Sequence, residues 1–145
     1  MKRGFTCGAF DLCHMGHFLM FEEAKAQCDY LIVGLHTDPS TTDASYRGKK
    51  KNQPILSVEE RLTILKGIRY IDEVVIYEDE DDLYELLKKL KPDVRIIGAD
   101  WKGKKFTGHD LPIEMHYNSR GHDYSTSELR KRIHQAESEV NSAAL

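Results

Sequence analysis

The segment Gly8-Ala9-Phe10-Asp11-Leu12-Cys13-His14-Met15-Gly16-His17 gathers the side chains of this chain best suited to chemistry. It follows an apolar, strand-like run and precedes a helix-like one. His14 and His17 therefore fall where a strand hands over to a helix N-terminus. Backbone N–H groups are unpaired there and the helix dipole is positive, which suits phosphate. Imidazoles at that place donate hydrogen bonds to phosphate oxygens, and Gly16 lets the backbone approach closely. The feature points to a nucleotide-phosphate site. Cys7 and Cys13 lie nearby, but zinc fingers and ribbons need two separated ligand pairs, which this spacing lacks. Three cysteines, an odd number, fit no complete disulfide framework. Cys7 and Cys28 read as reduced residues in or near the core.

The elements that must position this segment alternate between strand and helix. Residues 3–8 read as a first strand, 16–28 as a helix and 30–35 as a second strand. Phe18, Phe21, Ala24 and Cys28 recur at three- and four-residue steps and are expected to form the buried face of that helix. Residues 37–54 form a polar loop carrying Arg47-Gly48-Lys49-Lys50-Lys51. Ser57 with Glu60 makes a capping box that starts a helix running to about Ile68. A third strand covers Glu73 to Ile76, and a helix follows from about Asp81 to Leu90, ended by Lys91-Pro92. Val94 to Ile97 is a fourth strand and Ile113 to His116 a weaker fifth. Thr126 is expected to cap a last helix from Ser127 to about Gln135. The remainder, 137–145, reads as a loosely ordered tail behind a single domain of residues 1–136. Such alternation favours an α/β, Rossmann-like, doubly wound and mostly parallel sheet of about five strands, with helices on both faces. Ligands of such sheets bind beyond the carboxyl ends of the strands. The histidine segment, the lysine-rich loop and Gly98-Ala99-Asp100-Trp101 all follow strands, so they can meet in one crevice.

The pattern Gly-x-Phe-Asp-x-x-His-x-Gly-His resembles the nucleotidyltransferase superfamily, in particular the cytidylyltransferases acting on glycerol 3-phosphate. Ser57-Val58-Glu59-Glu60-Arg61, Arg69 to Val75, Gly98 to Trp101, and Arg120 followed by Ser125-Thr126-Ser127 resemble the same family in the same order. The resemblance implies transfer of CMP from CTP to a small phosphorylated alcohol, first of all glycerol 3-phosphate, with Mg²⁺ as cofactor. A phosphoethanolamine or phosphocholine cytidylyltransferase, an adenylyltransferase of the FAD-synthetase kind and a non-catalytic nucleotide-binding module are the alternatives. It also implies a homodimer.

Carried over residue by residue, His14 and His17 bind triphosphate oxygens, with Lys49 and Arg120 as further catalytic groups. Ala9, Phe10, Asp11, Gly16, Lys51, Arg61, Gly98, Asp100, Tyr124, Ser125, Thr126 and Ser127 complete the nucleotide site. Asp38, Lys49 and Trp101 meet the acceptor, and Asp11 is the expected Mg²⁺ ligand. No serine or cysteine nucleophile is needed, because the reaction asks for alignment and charge neutralisation. Two positions depart from the family. Asp123 stands where the family has glycine, and Leu83, within the acidic run Glu78 to Asp82 and its sequel, stands near a lysine that family members use for glycerol 3-phosphate.

Composition narrows the classes. With 31% charged residues and a net charge of −3, the 145-residue chain is of ordinary globular type and has no basic face for nucleic acid. No apolar run approaches a membrane span, and the N-terminus lacks a signal-peptide core, so a cytoplasmic location is expected.

Overall fold

In a computed structural model, which describes residues 1–41 and 51–144, five strands form one sheet. They are β1 (Arg3–Gly8), β2 (Tyr30–His36), β3 (Glu73–Tyr77), β4 (Val94–Gly98) and β5 (Glu114–Asn118). The spatial order is β3-β2-β1-β4-β5 and every pairing is parallel. From β1 the chain builds outward to one edge, then crosses to β4 and builds the other. The β1–β4 boundary is therefore the switch point of an open α/β sheet, with a crevice beyond the two carboxyl ends. The expected α/β, doubly wound architecture is what the chain adopts.

Strand alternation divides the core in two. Leu31, Val33 and Leu35 of β2 pack with Phe21 and Ala24 of α1 (Met15–Ala26) and Leu65 of α2 (Val58–Lys66). Ile32, pointing the other way, joins Phe5, Tyr77 and the buried Leu83 and Leu87 of α3 (Glu80–Leu90). Each layer buries its apolar stripe at about 25 cal/mol per Å² removed from water. One helix expectation fails: Phe18 is 42% exposed, and α1 turns Gly16, Phe21 and Ala24 inward instead.

The caps explain where the helices start. Ser57 and Glu60 form the expected reciprocal box, with Glu60 N–H donating to Ser57 Oγ at 3.1 Å and Ser57 N–H to Glu60 Oε1 at 3.0 Å. Asp79 caps α3 by accepting from Asp82 N–H at 2.8 Å, so part of the acidic run serves the fold. That helix stops at Lys91, whose φ of 47° is left-handed, just before Pro92. The last helix, α4 (Thr126–Ala144), corrects two expectations. Its cap is Ser125, which accepts from Glu128 N–H at 3.1 Å, rather than Thr126. It also continues through residues 137–144, read above as a loose tail. No glycine or proline follows Gln135, so no helix breaker stops it there. Among the described residues no helix is long and apolar enough to cross a membrane.

Candidate functional site

The loop joining β1 to α1 is tightly wound. Phe10 and Leu12, on either side of Asp11, have φ of 50° and 48°, a left-handed conformation that costs a non-glycine residue on the order of 1 kcal/mol. Packing holds it there. Phe10 is buried against Phe21 and lies edge-on to the His17 ring at 5.6 Å. His14 then caps α1. Its Nδ1 accepts from Gly16 N–H at 3.1 Å, and its own N–H donates to His17 Nδ1 at 3.2 Å. The pair does what serine and glutamate do in a capping box, with two stacked imidazoles 3.9 Å apart.

Because both Nδ1 atoms accept, the ring proton of each neutral imidazole sits on Nε2. His14 Nε2 lies 3.3 Å from Thr126 Oγ1, and that hydroxyl donates onward to the Asp11 carbonyl at 3.3 Å. This link ties the N-terminus of α4 to the β1–α1 loop, so two positive helix ends face the same space. Burial, reinforced by the neighbouring His14, pushes the His17 pKa down to about 3, with Asp11 opposing. His14 is lowered by burial first and then by the charges of His122 and Arg120. Both rings are therefore neutral donors at neutral pH. Burial likewise raises the Cys13 thiol to about 11, which leaves it protonated.

These shifts fix a pH dependence. A base whose folded pKa is depressed binds its proton only in the unfolded chain. Stability is therefore full above the ordinary value near 6.5 and declines as pH falls towards 3. His17 alone accounts for about 2 kcal/mol lost between pH 7 and pH 5. Urea denaturation at the two pH values should show this drop in the wild type and a smaller one in His17→Asn. An equal drop in both would contradict it.

The loop opens into a cleft of about 350 Å³ between β1 and β4. His14, Gly16, His17, Lys51, Gly98, Asp100, Trp101, Arg120, Tyr124, Ser125 and Thr126, all expected at the site, line it. Lys49 lies outside the described residues. Ala9, Phe10, Asp11, Asp38, Arg61 and Ser127 are not among the lining residues, and three of them do different work. Asp11 accepts from Ile55 N–H at 2.8 Å and Leu56 N–H at 2.9 Å, one bond per carboxylate oxygen. Asp38 is engaged with Ser40, through its hydroxyl at 2.6 Å and N–H at 3.0 Å. Arg61, expected at the phosphates, is 2% exposed and donates to four main-chain carbonyls: Leu56, Ala9, His36 and Thr37. It clamps the loop after β1, the end of β2 and the segment before α2 together.

Both Asp11 oxygens hold backbone N–H groups, and no group of three metal-ligating side chains exists among the described residues. Asp11 thus anchors the loop, and each of its oxygens keeps a second lone pair with which it could meet a magnesium ion carried on nucleotide phosphates.

Gly16 is needed for closeness. A Cβ there would lie 2.9 Å from both His14 Cε1 and Tyr124 Cβ, and 3.1 Å from His122 Cε1. Gly16→Ala should thus spread the two helix ends and weaken triphosphate binding about 10-fold, a loss of about 1.4 kcal/mol. Titration with a non-hydrolysable nucleotide would read this, and unchanged affinity would refute it. Asp123, by contrast, fits without strain, since positive φ among described non-glycine residues occurs only at Phe10, Leu12 and Lys91. Sequence reasoning passed over His122, which lines the cleft beside Tyr124, and also Arg95, Phe106 and Thr107. A charged residue inside the apolar run Val94-Arg95-Ile96-Ile97 was the available signal for Arg95.

A parallel sheet with this switch point and a histidine-capped helix at its mouth define the class as α/β nucleotidyltransferase-like. The chain belongs to the cytidylyltransferase-like family, whose model matches residues 5–132. It is similar to the bifunctional protein HldE of Campylobacter curvus, 40% identical over 133 residues, which are 92% of this chain and 27% of that protein. HldE of Caulobacter vibrioides is 41% identical over 113 residues, 78% of this chain and 22% of that one. The chain thus spans about a quarter of the length of the curated relatives it matches. Among solved structures, a lipopolysaccharide core biosynthesis protein from Thermoplasma volcanium superposes with a TM-score of 0.66 at 25% identity, over 85% of this chain and 99% of that one. A pantoate–β-alanine ligase from Francisella tularensis shares the fold, with a TM-score of 0.54 at 17% identity over 84% of this chain and 60% of its own.

Proposed function

We propose that the chain transfers an adenylyl group from ATP to the phosphate of a sugar 1-phosphate, giving an ADP-sugar and pyrophosphate. The observation that carries nucleotidyl transfer is the pair of neutral imidazoles presenting Nε2–H donors between two helix N-termini. An acceptor phosphate oxygen attacks the α-phosphorus, the bond from that phosphorus to the α–β bridging oxygen breaks, and pyrophosphate leaves with the electron pair. Charge spreads over the phosphoryl oxygens as this happens. Fixed donors on His14 and His17, with the cations of Arg120 and Lys51, stabilise it without a covalent step. Gly98, Asp100 and Tyr124 are assigned to the nucleotide side and Trp101 to the acceptor side.

The likeness to HldE proteins favours ATP over the CTP expected from the sequence, and displaces glycerol 3-phosphate as first acceptor. The lipopolysaccharide core is a carbohydrate, so the Thermoplasma relative supports a sugar acceptor, with heptose 1-phosphate first. Leu83, buried near the position at which the family resemblance places a lysine for glycerol 3-phosphate, agrees. Pyrophosphate release with ATP or CTP, crossed with heptose 1-phosphate or glycerol 3-phosphate, tests the reading. Release only with CTP and glycerol 3-phosphate would overturn it. Nucleotide binding with no release in any combination would instead favour the non-catalytic module.

A homodimer is part of the same proposal. Ile133 and Val140, 49% and 60% exposed, stand seven residues apart on α4 and so share a face that a second copy would cover. Sedimentation should give twice the chain mass, and Ile133→Glu with Val140→Glu should halve it. A wild-type monomer would exclude the dimer.

A further inference from the structure

The cleft has a second end, beneath β1 and α3, that the phosphate chemistry leaves unused. Arg95 lies on its wall, only 4% exposed. Its Nη1 donates to the Thr107 carbonyl, its Nη2 lies 3.8 Å from Cys7 Sγ, and the guanidinium sits 5.1 Å above the Phe106 ring. Its Nε is buried without a hydrogen-bond partner, and among the described residues Arg95 forms no ion pair. An arginine buried this way is expensive unless its donors are filled. Around it the cleft wall carries Tyr77, Glu80 and Thr107, and the Thr107 hydroxyl donates to Glu80 Oε2 at 2.6 Å. Gly108 follows with φ of 86°, and a Cβ there would come within 3.1 Å of Arg95 Nη1, so the loop is moulded onto the guanidinium.

We infer that Arg95 is the acceptor-specificity residue of this cleft, donating the Nε–H that the protein leaves unpartnered to a hydroxyl on the sugar end remote from the phosphate. An unfilled planar donor, a carboxylate and aromatic rings along one wall match the alternating hydroxyl and C–H faces of a sugar. On this inference a short polyol phosphate held at the histidines would leave this end unfilled. The inference rests on the sugar-phosphate reading above and gives it a length selectivity.

The test compares KM for ribose, mannose and heptose 1-phosphates, with ATP, in the wild type and in Arg95→Met, which keeps side-chain volume. Loss of one charge-assisted hydrogen bond should raise KM for heptose 1-phosphate about 10- to 100-fold. KM for ATP should stay unchanged, and KM for ribose 1-phosphate should barely move, so the preference for the longer sugar collapses. A merely structural arginine would raise all three, or none, and either result overturns the inference while leaving adenylyl transfer intact. If Arg95→Met unfolds, Arg95→Lys keeps the charge without the Nε position, and must show the same loss of length preference. Silence of the wild type with every sugar phosphate removes the functional reading, and this inference with it.

Discussion

His17→Asn should cut turnover about 10²- to 10³-fold while the protein keeps its fold at neutral pH. Asparagine places an amide oxygen where His17 has Nδ1, so it can still accept from His14 N–H and keep α1 capped. What it lacks is the Nε2–H that reaches beyond the loop. The same holds at His14, whose Nδ1 accepts from Gly16 and whose Nε2 faces Thr126. His17→Gln, which carries a donor further out, should recover part of the rate. Steady-state kinetics beside thermal unfolding distinguishes the outcomes. If His17→Asn retained near wild-type turnover, the imidazole would be a cap and nothing more.

Arg61→Leu is expected to act on stability instead. Removing the guanidinium strands the carbonyls of Leu56, Ala9, His36 and Thr37 in a space almost closed to water. Breaking a buried charged network of this kind costs about 3–5 kcal/mol. In a chain of this size the unfolding temperature should fall by about 10 °C or more. Arg61→Lys should not restore it, because one ammonium cannot serve carbonyls spread around a planar fork. Calorimetry would show this. A variant of normal stability that bound nucleotide poorly would return Arg61 to the phosphates.

The contrast between these two residues shows what a sequence exposes and what it hides. Local signals were readable: the β1–loop–α1 handover, the Ser57 box and the strand–helix alternation depend on neighbours within a few positions. Together they sufficed for a parallel five-strand sheet and for a cleft at its switch point. Arg61 was misleading because an arginine within a polar helix turn ordinarily points to water. Its burial depends on carbonyls 24, 25 and 52 residues away. Asp11 is similar, since its carboxylate is filled by backbone of residues 55 and 56, which no local pattern connects to it. Phe18 failed for another reason: helical spacing identifies a stripe, but only packing selects which side of it faces the sheet. Arg95 was visible as an oddity in an apolar strand, yet its meaning required the Thr107 loop to be folded over it.

The two histidines spend Nδ1 on the cap of α1 and leave Nε2 outside it, with His14 Nε2 beside Thr126. This shared use has an evolutionary consequence. A descendant that abandoned the reaction would still need acceptors for the N–H groups of His14 and Gly16, or α1 would lose its start. Selection for folding alone would then preserve hydrogen-bonding side chains at both positions long after activity ceased. The motif by itself is thus a record of ancestry. Evidence of a working descendant lies in the surroundings of the Nε2 atoms, on which the cap of α1 makes no demand.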